Sequence, residues 1–144
     1  MPYKSLALSL LVSVVLLCPR ALADDDSPLE RSMSTMNASL RALKRQVPDP
    51  AQNASALELI EKMKKAAVAS RDESPAMLNE IPEADRAKFL SSYKDAMTDL
   101  IGQIDELNLA VKENRTKDAV KLLDELKETK REGHSQFINK KDKD

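Results

Sequence analysis

Apolar residues recur along this chain at helical rather than strand spacing. From Leu29, the positions Met33, Met36, Leu40 and Leu43 follow at intervals of 4, 3, 4 and 3, one stripe on one helix face. Ser27-Pro28-Leu29-Glu30 opens that helix as a capping box with proline at its first position, and Asp24 to Asp26 set negative charge beside its positive end. Pro48 and Pro50 close it. A second helix is expected to open at Asn53 or at Ser55, which would form another capping box with Glu58. Its stripe of Leu57, Ile60, Lys64 and Ala67, interleaved with Met63 and Ala66, is less regular, and it stops before Pro75. Ser74 to Pro82 is the longest connection, with a short turn expected around Met77-Leu78. The third and longest helix starts near Pro82-Glu83 and carries Phe89, Tyr93, Met97 (or Ala96), Leu100, Ile104, Leu107 and Val111. Asn114 to Thr116 read as a turn, with Thr116 as the next N-cap. The fourth helix places Ala119, Leu123, Leu126, Lys130, His134 and Phe137 at intervals of 4, 3, 4, 4 and 3, ahead of a charged tail from Asn139 that is expected to fray.

Four amphipathic segments with mostly short connections predict an all-α, antiparallel up-down-up-down four-helix bundle with helices crossing at about 20°. Composition agrees, since Ala, Leu, Lys and Glu are abundant and glycine occurs only at Gly102 and Gly133.

The first 23 residues fall outside that pattern. One positive charge in Met1 to Lys4, an uncharged apolar run from Ser5 to Cys18 and Ala21-Leu22-Ala23 form a secretory leader, with cleavage expected after Ala23. The run is too short for a permanent membrane span. Cys18 follows the bulky Leu17 and is a poor lipoprotein site. The expected product, residues 24–144, is a single exported, soluble domain and a monomer. Lys4 and Arg20 leave with the leader, so 21 of the 23 basic residues remain against 24 acidic ones, a net charge of −3. No basic face accumulates, which argues against nucleic acid. The single cysteine leaves as well, so no disulfide is available.

Candidate chemistry rests on the only histidine, His134, and on Met33. In an up-down-up-down bundle the start of helix one lies beside the end of helix four. Met33 is six residues after Ser27 and His134 five before Asn139, so both lie roughly 8–9 Å from the same end at about 1.5 Å per residue. A thioether and an imidazole at matching depth are the pair that would hold a six-coordinate haem iron. Each has a plainer reading: methionine on a stripe fills core, and histidine suits a helix C-terminus. One histidine and no cysteine make zinc, copper of the His-rich kind and di-iron sites improbable. No glycine-rich phosphate loop or nucleophilic triad has supporting context. Asn37-Ala38-Ser39, Asn53-Ala54-Ser55 and Asn114-Arg115-Thr116 match a glycosylation pattern and are read as coincidence.

The segment Leu29-Glu30-Arg31-Ser32-Met33-Ser34-Thr35-Met36-Asn37-Ala38-Ser39-Leu40 resembles the first helix of the cytochrome b-562 family of periplasmic haem proteins. Gly102-Gln103-Ile104-Asp105 and Leu126-Lys127-Glu128-Thr129-Lys130, leading to His134, resemble its third and fourth helices. The resemblance implies one non-covalent b-type haem, axial Met33 and His134, single-electron transfer in the periplasm and unnamed redox partner proteins. Related c-type bundles attach haem through Cys-x-x-Cys-His, but here the stretch is Lys130-Arg131-Glu132-Gly133-His134, so covalent attachment is excluded. The resemblance also sets Tyr93 and Met97 where the family packs aromatics on the macrocycle. Met97 in that role, and Gly133 beside the ligand, depart from the family pattern. Met36 is the next thioether in line for iron. Lys130, one turn before His134, is a candidate partner for a haem propionate, with Arg131, Lys140 and Lys141 as weaker ones.

With both axial positions filled by protein, an electron carrier rather than an enzyme is expected. The rival reading is a cofactor-free periplasmic chaperone or stress sensor on the same bundle, but its Leu-Thr-x-x-Gln repeats are absent. A haem enzyme or gas sensor would need a displaceable ligand, and Met33 would be the one to leave.

Overall fold

A computed structural model describes residues 27–138, and the leader, its cleavage site and the charged tail lie outside them. Four helices follow one another: α1 (Pro28–Gln46), α2 (Asn53–Arg71), α3 (Glu83–Lys112) and α4 (Thr116–Phe137). No strand occurs among the described residues. The expected all-α four-helix bundle is the fold.

The start of α1 follows its sequence closely. Ser27 Oγ accepts from the Glu30 amide at 3.2 Å, and Glu30 Oε2 accepts from the Ser27 amide at 2.6 Å. The bond from the Ser27 backbone amide, and after it one from the Ser27 side chain, hold the Glu30 carboxyl below its usual value. Lys44 and Arg45 complement the other end of the helix, where Pro48 prevents continuation.

The start of α2 corrects the expected second capping box. A 3-10 turn, Pro50–Gln52, comes first, and Asp49 caps it by accepting from the Ala51 amide at 3.0 Å. Ser55 therefore lies inside the helix, not at its N-cap, and no side chain caps α2. Asn53 has a different use. Its amide donates to the Val111 carbonyl at 3.2 Å and to Asn114 Oδ1 at 2.8 Å, pinning the start of α2 to the α3–α4 turn.

That turn ends α3 by a left-handed residue. Asn114 has φ 55°, its amide bonds the Val111 carbonyl at 3.1 Å, and the Arg115 amide bonds the Ala110 carbonyl at 2.8 Å. These are the two bonds of a Schellman closure, with asparagine taking the place usually held by glycine. Thr116 is consequently the first residue of α4 and not its cap. Arg115 precedes it, with ion pairs to Glu113 and Asp118. The turn expected around Met77-Leu78 is a 3-10 segment, Ala76–Glu80.

Helices α1 and α2, α2 and α3, and α3 and α4 pack closely in sequence order, whereas α1 and α4 meet only sparsely. Burial follows the apolar stripes. Leu43, Val47, Ala56, Ile60, Leu107, Ala110, Val111 and Ala119 are at most 2% exposed and close one end of the bundle. At the other end the gap between α1 and α4 stays open.

Candidate cofactor cleft

A cleft of about 770 Å³ occupies that open end. Met33, Met36 and Leu40 line it from α1, and Lys130, His134 and Phe137 from α4. Tyr93, Met97, Leu100 and Ile104 of α3 form its floor. The spacing of 4 and 3 that made one stripe on each helix is what turns these side chains inward. All six residues singled out from the sequence, Met33, Met36, Tyr93, Met97, Lys130 and His134, therefore share one cavity.

Their environments differ. Met36 and Met97 are buried, while Met33, Lys130 and His134 are half-buried and reach solvent. Arg131 is turned away, exposed and paired with Glu128, so it is not a wall residue. Lys140 and Lys141 lie outside the described residues.

Aromatic packing fixes the floor. Phe137 stands edge-on to both Phe89 and Tyr93, with ring centroids 5.5 and 5.4 Å apart. The Tyr93 hydroxyl donates to the Ser70 carbonyl at 2.7 Å, tying α3 to the end of α2. Burial, with a smaller contribution from the Glu73 charge, pushes the Tyr93 hydroxyl up to about 12. It is a neutral donor at any physiological pH.

Several wall residues were not foreseen. Arg41 lies two turns beyond Met33 on the row Met33-Asn37-Arg41, a spacing of four that could have revealed it. Met63 enters from α2 and Met77 from the 3-10 segment, where no helical register marks the inward face. Gln103 also lines the cleft, and its buried Oε1 accepts no hydrogen bond.

The cleft fits a haem-sized guest. Its volume lies within the roughly 300–1,000 Å³ of cofactor and ligand pockets, its walls are mostly apolar, and they carry one imidazole and five thioethers. A Cβ placed on Gly133 would meet nothing within 4 Å, so the glycine beside His134 leaves room rather than relieving a clash.

These features define a four-helix bundle with a cofactor cleft between its first and last helices. A family model, cytochrome b562, matches residues 28–137, nearly the whole helical span. The chain belongs to the cytochrome b562 family, itself a standard example of the up-down-up-down bundle. That family consists of haem-binding electron-transfer cytochromes whose b-type haem is held without covalent attachment. No curated protein gives a significant match to the chain. Among the described residues, no helix is long and apolar enough to cross a membrane.

Proposed function

We propose that the chain is an exported, periplasmic electron carrier that binds one haem b between Met33 and His134. The observation that carries this reading is that the only imidazole and the foremost thioether line one cleft from α1 and α4, the helix pair that stands apart. When bound, haem supplies a one-electron Fe(III)/Fe(II) couple. Met33 and His134 would both hold the iron, which would leave no coordination site for substrate or oxygen. The soft Met33 sulfur would favour the reduced iron relative to a second nitrogen ligand and raise the potential. Apolar walls from Leu40, Leu100 and Phe137 act in the same direction by disfavouring the extra charge of the oxidised state. Lys130, half-buried at the rim, would pair with a propionate. Redox partners meet the protein, a monomer, at the open end in weak, short-lived contacts.

The test is direct. The protein is expressed with its leader, purified from the periplasm, and its visible spectrum recorded with and without dithionite. A low-spin spectrum that changes on reduction and ignores carbon monoxide is expected. A colourless product that also fails to take up added hemin overturns the haem reading, and a spectrum altered by carbon monoxide overturns the two-ligand assignment.

A further inference from the structure

All five methionines in residues 27–138 line the one cleft, and none stands at the closed end of the bundle. The closed end is built from Leu, Val, Ile and Ala, which fill space equally well. Chance packing does not account simply for such segregation. Three of the five, Met36, Met63 and Met97, are buried and come from three different helices, α1, α2 and α3. A thioether is a soft, neutral donor that needs no deprotonation, and soft sulfur ligands select Cu(I). Long unbranched side chains give each sulfur several positions within the cleft it lines.

A second observation points to a cation. Gln103 Oε1 is buried on the same wall with no hydrogen-bond donor. An acceptor of this kind lowers the cost of holding a positive charge in the cleft, while the thioethers and not this hard oxygen would bind a soft ion. At the mouth, Glu30, Asp99 and Glu132 outnumber Arg41 and Lys130, so the charge balance of the lining also suits a monovalent cation.

We infer that the haem-free cleft is a Cu(I) site in which Met36, Met63 and Met97 supply the thioether donors. Cu(I) and haem then exclude one another, because both need the same space. The thioether donors do not include Met33 or His134, so uptake by the haem-free chain tests this site whatever the outcome of the haem reading, and only the exclusion of Cu(I) by haem rests on that reading.

The experiment is an anaerobic competition between the haem-free full chain and a chromophoric Cu(I) chelator, with helicity followed by circular dichroism. One equivalent of Cu(I) should be withdrawn from the chelator, and the haem-loaded chain should withdraw none. Leucine is close to methionine in volume, so Met63→Leu should stay folded and weaken Cu(I) binding about tenfold, and the triple Met36→Leu/Met63→Leu/Met97→Leu at least about a hundredfold. Thioethers do not titrate, so affinity should change less than about threefold between roughly pH 7 and pH 5. A helical haem-free chain that leaves Cu(I) on the chelator overturns the proposal, as does a chain that stays unfolded with Cu(I) present. So does a Met63→Leu chain that binds as tightly as the parent. Equal uptake by the haem-loaded chain, or equal uptake of Zn(II), would place the metal on surface nitrogen and oxygen ligands and overturn it too.

Discussion

Where α1 stops and α2 begins, Leu43, Val47, Ala56 and Ile60 meet Leu107, Ala110, Val111 and Ala119 with almost no exposure. Where α1 begins and α4 stops, Met33, Lys130 and His134 stand half-exposed around a cleft of about 770 Å³. The same helices build both ends, so the difference comes from side chains and end fastenings. Small alanines at 56, 110 and 119 are fully buried at the closed end, and Asn53 bonds two helices together there. At the open end α1 and α4 meet only sparsely. Stability is concentrated at one end, and the other is left free to accept a guest whose binding adds to stability.

Deleting the same kind of bulk at the two ends should therefore give opposite results. Ile60→Ala leaves a cavity in a region with no way to collapse, and should cost about 3–4 kcal/mol in denaturant unfolding. The haem spectrum of the remaining folded protein should not change. His134→Ala at the open end should cost the haem-free chain less in unfolding than Ile60→Ala does. It should, however, weaken haem binding at least about a hundredfold, equivalent to roughly 2.7 kcal/mol. Met33→Ala should retain haem but turn high-spin with a lower potential. If its spectrum stays low-spin, Met36 is the axial thioether instead.

The fastening itself can be tested. Asn53→Ala removes two hydrogen bonds between α2 and the α3–α4 turn and leaves the Val111 carbonyl to its backbone partners. A loss of about 1–2 kcal/mol is expected, read from the urea midpoint. If stability is unchanged, the closed end is held by apolar packing alone.

How much of this was legible in the chain follows the same division. The stripes of α1, α3 and α4 predicted the helices and their inward faces, because 3.6-residue periodicity is a local property. The pairing of Met33 with His134 in one cleft followed from helix rise and antiparallel order. Helix boundaries were less legible where tertiary contacts decide them. Ser55 and Glu58 have the pattern of a capping box, yet Asp49 starts a 3-10 turn earlier and Asn53 is held by α3. Thr116 looks like a cap, but the bonds from Asn114 and Arg115 back to α3 settle that turn first. Met77 and Gln103 were missed for another reason. One lies in a segment without helical register, and the other is polar on an apolar wall.

The smallest effect bears on the floor that joins the two ends. The Tyr93 hydroxyl donates to Ser70 at 2.7 Å and is displaced from its ordinary value of 10.0 to about 12, chiefly by burial and then by the Glu73 charge. Below pH 10 the hydroxyl is protonated in both folded and unfolded chains, so it gives stability no pH dependence. Between about 10 and 12 the unfolded chain releases the proton while the folded chain keeps it, so the folded state binds more protons and stability falls as pH rises. Above that window both forms are ionised and the loss is complete. Tyr93→Phe should cost about 1 kcal/mol near neutral pH, since the Ser70 carbonyl keeps its bond from the Glu73 amide at 3.2 Å. It should also flatten the decline above pH 10, measured as the difference in urea midpoint between parent and variant. An equal decline in both proteins would mean that Tyr93 ionises freely, and that the cleft floor is wetter than its packing against Phe137 implies.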